Sequence, residues 1–428
     1  MSNSLNNTSS DTFRRAQTKF ILGSAFTYAF FYMTRKNLSM AQPVMLEEGA
    51  ISIEALGVIL TIHGVLYGIS RFANGFWADR LNGRIFMAIG LGLSALTNFL
   101  FGCSSLTILF ALFWIINGWT QGMGFPANTK MLTHWIHPKE LATKMSLWNT
   151  GHSFGAVMTL AICSLLLALD FSWRWCFYVP AILAGLAALY CFFCLKASPS
   201  EAGLPELQIE HENALTPQDT TVITNAERRR LVFGNKVVWL VAIANFFVYV
   251  VRFGFLDWGP TFLKQYKGIS VSKGGIMIIA FELAAVVGTV FAGWLTDKLF
   301  KGRGARTCVF CMLFAGLCAF GFWFLPNNAP TWLATLLLMG TGFFIYGPQA
   351  LVCIVAANQA TKNAAAMATG FMGIMGYAST VVSGIGLALI SKHLGWGTAL
   401  GFIAGFAFIG MLFFLLAWNA QADGYGKK

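Results

Sequence analysis

Long apolar runs separated by short polar breaks fill most of this 428-residue chain. A helix needs roughly 20 apolar residues to cross the hydrocarbon core of a bilayer. By that measure the sequence predicts twelve membrane-spanning helices, in two groups of six. The predicted spans are 18–40, 54–78, 84–104, 107–131, 142–168, 173–196, 237–263, 272–296, 305–325, 331–356, 363–390 and 396–419.

The two groups of spans are joined by the only long polar stretch, residues 197–236. It holds three prolines, five glutamates and the run Arg228-Arg229-Arg230. This composition predicts a linker that is partly disordered or carries a short surface helix. We therefore expect a six-helix half over 1–196, a cytoplasmic linker over 197–236 and a second six-helix half over 237–428.

The two halves repeat each other. The run from Gly75 to Arg84 closes the second span, and a similar run from Gly293 to Arg303 closes the eighth, 218 positions later. A polar stripe inside the first span recurs inside the seventh at nearly the same offset, 217. Such a repeat predicts an all-α membrane protein with two pseudo-symmetric halves and a binding site between them at mid-membrane.

The composition predicts a membrane protein, and the distribution of positive charge predicts its orientation. Hydrophobic residues make up 57% and charged residues only 11%, against about 25% charged in soluble domains. Of the 29 lysines and arginines, twenty fall in segments predicted on one side of the membrane and five on the other. By the positive-inside rule both termini are cytoplasmic. The net charge of +12 therefore reports topology and predicts no nucleic-acid partner.

Several function classes are excluded by what the sequence lacks. It has no G-x-x-x-x-G-K-[ST] phosphate loop and no nucleophile, base and orienter in a polar context, so neither ATP hydrolysis nor another catalytic activity is predicted. The Cys191-x-x-Cys194 and Cys308-x-x-Cys311 pairs lie in apolar spans and are interpreted as packing residues, so no metal or cofactor is expected. The first span is too long for a signal-peptide core, so no cleavable signal is expected.

The repeated polar stripe carries the candidate chemistry. Tyr28, Tyr32 and Arg35 share one helical face, and Asn245, Tyr249 and Arg252 share another. An arginine at mid-bilayer costs at least about 2.5–3.5 kcal/mol on insertion scales, so it normally faces a protein interior or an aqueous cavity. Glu282 is the one clear mid-membrane carboxylate. Two arginines against one carboxylate favour an anionic ligand, and a planar guanidinium suits phosphate.

Other polar residues in the spans have two interpretations each. Arg71 adds a third cation to the site or extends to the cytoplasmic surface. His152 shares a face with Trp148 and either bonds a neighbouring helix or matches the protonation of a phosphate ligand. Tyr346 and Tyr377 are able to hydrogen-bond a hydroxylated ligand.

These motifs resemble the organophosphate:phosphate antiporters of the major facilitator superfamily over about residues 18–418. The residues that carry the resemblance are Tyr32-x-x-Arg35-Lys36-Asn37, Trp148-Asn149-x-x-His152, Phe247 to Trp258 and Tyr346-Gly347-Pro348, with the repeated loop motif. The resemblance implies that Arg35 and Arg252 bind phosphate and that His152 is the central histidine. It implies further pocket positions at Tyr28, Tyr32, Tyr249, Glu282, Tyr346 and Tyr377.

The resemblance has two departures. Arg71 stands where relatives carry a pocket lysine, and Thr369 and Met372 stand where hexose-phosphate antiporters carry an Asp and a Lys. The run from Leu256 to Thr261 looks closer to the glycerol 3-phosphate branch.

The resulting hypothesis is a monomeric inner-membrane transporter that exchanges glycerol 3-phosphate or hexose 6-phosphate for inorganic phosphate by alternating access. The alternative is a sensor of external sugar phosphate that signals to a partner kinase. A proton-coupled carrier of another anion is a third interpretation.

The charge bias predicts that both termini and the linker are cytoplasmic. A cysteine placed in the linker should resist a membrane-impermeant thiol reagent in intact cells and react after lysis, against the background of the parent chain. Modification in intact cells would overturn the predicted orientation.

Overall fold

A computed structural model describes the chain apart from residues 1, 138–139, 141–143, 146–147, 149, 207–223, 327, 361–363 and 421–428. The described residues form α-helices joined by short turns, which confirms the all-α prediction. The helices are α1 (Ser2–Glu47), α2 (Ile53–Arg80), α3 (Gly83–Cys103), α4 (Thr107–Gln121), α5 (Gly124–Trp135), α6 (Gly151–Ala168), α7 (Trp175–Cys194), α8 (Asn225–Phe233), α9 (Lys236–Gln265), α10 (Val271–Lys298), α11 (Gly304–Phe324), α12 (Thr331–Ala360), α13 (Ala365–Ala378) and α14 (Leu387–Leu416).

Ten helical stretches of the described chain are long and apolar enough to cross a membrane. They match the predicted spans with three differences. The fifth predicted span, 142–168, is described as the span Gly151–Ala168, and residues 142–143, 146–147 and 149 of that prediction lie outside the described residues. The predicted eleventh and twelfth spans run together in the stretch Met367–Leu416, where Gly395 interrupts the helix with a φ of 80° because glycine tolerates that conformation. The first predicted span lies inside α1, which carries Arg35, Lys36 and Asn37 and is correspondingly less apolar.

Two compact units make up the chain. Unit 1 comprises Met1–Leu38, Ile69–Cys163 and Phe171–Ala214, and unit 2 comprises Ser39–Gly68, Ser164–Asp170 and Leu215–Lys428. The helices α1 and α2 each contribute to both units. The expected division at 197–236 stays a prediction. The short linker helix that the sequence predicted is present as α8, and a capping box between Thr224 and Glu227 begins it.

A buried polar network holds α1 inside unit 1. The Thr34 carbonyl accepts hydrogen bonds from Asn98 Nδ2 at 2.9 Å and from Asn117 Nδ2 at 3.0 Å. Gln121 Nε2 donates to Thr34 Oγ1 at 3.0 Å and to Ser94 Oγ at 2.8 Å. All five side chains are fully buried. Because lipid offers no alternative partners, this network fixes the turn of α1 that precedes Arg35.

The loop motif of unit 1, between α2 and α3, is stabilised by side chains from other segments. Lys130 Nζ donates to the carbonyls of Ala78 and Leu81 at 3.0 and 2.9 Å and so caps the end of α2. Asn82 Oδ1 accepts from the backbone of α3 as its N-cap, and Asn82 Nδ2 donates to Glu201 Oε1 at 2.5 Å. The beginning of the linker therefore lies against the loop motif.

Within unit 2, α2 packs closely on the residues that follow α13. Thr61 Oγ1 donates to the Thr380 carbonyl at 3.1 Å and accepts from the Ile385 backbone N–H at 2.9 Å. Ile385 belongs to a π-helical turn, Val382–Gly386. Such turns shift the backbone register, and here the turn presents an N–H to a side chain of another helix.

Close backbone approach also joins α10 to α12. A Cβ added at Gly288 would meet the Phe343 carbonyl oxygen, and one added at Gly342 would meet the Phe281 carbonyl oxygen, in both cases closer than real Cβ atoms approach. A Cβ added at Gly293, on the same helix as Gly288, would meet no atom within 4 Å.

This difference gives a matched prediction. Gly288→Ala should lower the free energy of unfolding by about 1–3 kcal/mol because the backbones must separate. Gly293→Ala should be neutral or stabilising, since alanine favours a helix over glycine by roughly 0.5–1 kcal/mol. Thermal unfolding of both variants in detergent measures the effect. Equal stability of the two variants would contradict the close contact.

Candidate functional site

The site residues predicted in unit 1 form one continuous cluster on α1 and α6. Arg35 Cζ lies 5.7 Å from the centroid of the Tyr32 ring. The Tyr32 ring lies 5.1 Å from the His152 ring and 5.8 Å from the Tyr28 ring. His152 Nε2 lies 3.3 Å from Ser153 Oγ. The structure thus brings together Tyr28, Tyr32 and Arg35 of the predicted stripe on α1 and places His152 of α6 beside them.

Arg71 joins the same cluster through aromatic rings. Its Cζ lies 3.9 Å from the centroid of Phe125, within the range of a cation–π contact. Phe125 lies 6.1 Å from Trp148, and Trp148 lies 4.7 Å from Tyr28. The aromatic contact favours the interpretation of Arg71 as part of the cluster over extension to the cytoplasmic surface. The neighbouring Asn149 lies outside the described residues.

The site residues predicted in unit 2 form a second cluster around Arg252, which is only 6% exposed. Arg252 Cζ lies 4.7 Å from the Tyr346 ring centroid and 5.9 Å from that of Tyr249. Tyr346 Oη donates to Glu282 Oε1 at 2.6 Å. Three helices, α9, α10 and α12, therefore position one guanidinium, one phenol and one carboxyl group in contact.

Tyr377 extends this second cluster toward α13. Its ring lies 5.8 Å from Tyr249 and 4.9 Å from Tyr67 of α2. One helical turn from Tyr249 along α9, Asn245 Nδ2 donates to the Met372 carbonyl at 2.8 Å. Each predicted site residue of unit 2 is thus linked to another by a ring contact or hydrogen bond.

The two clusters share a local geometry. In each, an arginine lies three residues after a tyrosine, with its Cζ 5.7 Å from that ring in α1 and 5.9 Å in α9. Their surroundings differ. The cluster on α1 and α6 combines two guanidinium groups with a histidine, whereas the cluster on α9 pairs one guanidinium with Glu282 through Tyr346. The first is the more positively charged.

Sequence reasoning missed several members of the clusters. Phe125 and Tyr67 contact predicted residues, but each lies in an apolar face that is typical of packing. The pairing of Tyr346 with Glu282, 64 positions apart, has no local signal. Only the i, i+4, i+7 spacing on α1 and α9 was visible without coordinates.

The comparisons with known proteins agree with this architecture. A model of the Major Facilitator Superfamily matches residues 24–384. The chain belongs to this superfamily. Over 95% of its length it superimposes on a bacterial homolog of the human lysosomal transporter Spinster, with a TM-score of 0.78 at 14% identity and 97% of that chain covered. The predicted major facilitator fold is therefore confirmed.

Three relatives of known name show which family of this superfamily the chain belongs to. A probable hexose phosphate transport protein of Chlamydia muridarum is 34% identical, covering 94% of this chain and 91% of the relative. The glycerol-3-phosphate transporter of Bacillus subtilis is 33% identical, covering 95% and 93%. The membrane sensor protein UhpC of Salmonella typhimurium is 34% identical, covering 92% and 90%. The chain belongs to the organophosphate:phosphate antiporter family; it is a multi-pass membrane protein and not an enzyme.

The hydrogen bond in the second cluster gives a stability prediction. Tyr346→Phe keeps the ring beside Arg252 but removes the donor to Glu282, which is 1% exposed. An unsatisfied buried acceptor costs roughly 1–3 kcal/mol, so the variant should unfold at lower temperature. Glu282→Gln keeps an oxygen acceptor for Tyr346 and should lose less. Wild-type stability of Tyr346→Phe would show that the bond contributes nothing.

Proposed function

We propose that the protein exchanges a phosphorylated small molecule, glycerol 3-phosphate or hexose 6-phosphate, for inorganic phosphate across the inner membrane by alternating access. The names of its relatives support a phosphorylated ligand, because hexose phosphate and glycerol-3-phosphate transporters resemble it over more than nine tenths of its length. The twenty-to-five charge bias supports cytoplasmic termini.

The observation that carries the proposal is the matched pair of arginines, Arg35 and Arg252. Each lies deep in a long helix, three residues after a tyrosine whose ring it faces at similar distance. Burying a guanidinium in a membrane protein is costly and is retained where it binds or pairs. The planar fork of arginine matches both carboxylate and phosphate, and the names of the relatives favour phosphate.

The chemistry of each side chain suggests its role in ligand binding. Arg35 and Arg252 hold the phosphate shared by both substrates. Arg71, next to the first cluster, adds positive charge, and His152 contributes a proton near the second pKa of phosphate. Tyr28, Tyr32, Tyr249, Tyr346 and Tyr377 supply ring faces and hydroxyls for the organic part, and Glu282 holds Tyr346 in place.

The proposed cycle needs no ATP. Because one site binds both substrates, exchange lets the phosphate gradient drive uptake of the organic phosphate. The protein works as a monomer whose site opens alternately to the two sides of the membrane. The halves 1–196 and 237–428 are the moving parts in this proposal.

A second candidate function is a sensor of external sugar phosphate that signals to a partner kinase. The similarity to UhpC, 34% over 403 residues, favours it. A sensor would use the same phosphate site, so ligand binding alone does not separate the two functions. Turnover does.

Purified protein in phosphate-loaded liposomes should exchange internal phosphate for labelled external phosphate and for glycerol 3-phosphate or glucose 6-phosphate. Arg35→Lys and Arg252→Lys should each weaken phosphate binding about 10- to 100-fold, the loss of one charge-assisted hydrogen bond. Inorganic and organic phosphate should be weakened alike, because both variants change only contacts to the shared group.

Arg174→Lys is the matched control. Arg174 Nη1 donates to the carbonyls of Gly102 and Ser104 at 2.5 Å each, which is a structural role, so its replacement should leave phosphate affinity unchanged. Wild-type phosphate affinity in either Arg35→Lys or Arg252→Lys would remove that arginine from the site. Ligand binding without any exchange would favour the sensor.

A further inference from the structure

Asn245 is a buried amide on the ligand-facing stripe of α9 that the proposed phosphate site leaves without a role. It precedes Tyr249 by one helical turn and Arg252 by two, so the three side chains share one face. Asn245 is 3% exposed. A polar side chain buried this deeply in a membrane helix is expensive and normally has a specific partner for each of its polar atoms.

Only one of the two polar atoms of the Asn245 amide has a hydrogen-bond partner. Nδ2 donates to the Met372 carbonyl at 2.8 Å, whereas Oδ1 is buried and has no hydrogen-bond partner. The orientation of the amide is fixed, because a carbonyl oxygen accepts and cannot donate, so exchanging Oδ1 and Nδ2 would place two acceptors together. An acceptor is therefore held in place on the face that carries Arg252.

The helix α13 packs tightly on Asn245 at Gly376 and leaves more space at its two earlier glycines. A Cβ added at Gly376 would lie 3.2 Å from Asn245 Nδ2 and from the Tyr249 ring, so α13 approaches closely there. At Gly373 and Gly370, about one and two turns before Gly376 on α13, an added Cβ would meet no atom within 4 Å. Tyr249, which is half-buried, lies beside the amide, so a ligand that reaches Oδ1 must displace its ring.

The spacing along α9 matches a short carbon chain. Arg252 and Asn245 are separated by about 10 Å of helix rise, and helical side chains lean toward the N-terminus, which brings the guanidinium toward Asn245. The Arg252 Cζ is accordingly 5.9 Å from the Tyr249 ring, between the two. A phosphate on Arg252 would therefore place an attached carbon chain along this face, toward Asn245.

We propose that Asn245 Oδ1 accepts a hydrogen bond from a hydroxyl of the organic part of the ligand and thereby selects hydroxylated organic phosphates over their deoxygenated analogues. The proposal rests on the proposed function, because it places the organic part relative to a phosphate on Arg252. The ligand class is a polyol or sugar phosphate. Inorganic phosphate has no organic part to reach this acceptor, so its affinity does not depend on Asn245.

The test compares matched ligands on wild type and Asn245→Leu by competition with labelled phosphate in detergent. The pairs are glycerol 3-phosphate with propyl phosphate, and glucose 6-phosphate with cyclohexylmethyl phosphate. For the hydroxylated ligand that binds, wild type should discriminate against its deoxygenated partner about tenfold, since a site built around a hydrogen bond rejects a ligand that lacks it. Asn245→Leu should bind both members of that pair alike and keep wild-type affinity for inorganic phosphate.

Ser379→Ala is the control, because Ser379 is fully buried nearby and donates to the Gly376 carbonyl at 2.5 Å; it should keep the discrimination. Asn245→Ala replaces the leucine variant if the latter does not fold. No discrimination by wild type, or discrimination that survives in the Asn245 variants, overturns the inference. So does an equal loss of inorganic phosphate affinity, which would make Asn245 structural. If wild type binds no phosphate compound at all, the proposed function itself is wrong.

Discussion

Hydrocarbon supplies no hydrogen-bond partners, and this constraint decides where polar side chains of the chain lie. Thr34, Ser94, Asn117 and Gln121 satisfy one another at the turn of α1 that carries Arg35. In water such a cluster would compete with solvent and add little. In a bilayer its groups have no other partners, so the network sets the rotation of α1 and hence the face on which Tyr28, Tyr32 and Arg35 lie.

The same constraint separates what the sequence could predict from what it could not. Spans follow from the length of apolar runs, and the stripe on α1 and α9 follows from helical periodicity, so the helices and both arginines were predictable. The pairing of Glu282 with Tyr346 and the contact of Arg71 with Phe125 were not. They depend on which helices are neighbours and at what rotation. For Glu282 and Tyr346, close backbone approach at Gly288 and Gly342 makes α10 and α12 neighbours, and one sequence does not encode such an approach locally.

The two halves share the local geometry of the arginine and its preceding tyrosine, but the residues around that pair differ. Arg35 and Arg252 face the preceding tyrosine in the same way, because residues three apart on any helix are neighbours. What lies beyond is set by other helices and has diverged, with His152 beside Tyr32 and Glu282 beside Tyr346. Each cluster therefore presents the same cation beside a different chemical partner.

In the proposed exchange, a ring face suits an arginine that binds and releases an anion repeatedly. A cation–π contact contributes about 0.5–2 kcal/mol, enough to hold the guanidinium of Arg252 over Tyr346 in place. A charge-assisted hydrogen bond to phosphate contributes roughly 1.5–3 kcal/mol, so the ligand outcompetes the ring without removing it. A buried carboxylate bonded directly to the guanidinium would rival phosphate at equal strength and would lose its own partner when displaced. Glu282 Oε1 accepts from Tyr346 Oη, and this neutral donor satisfies that oxygen independently of the anion.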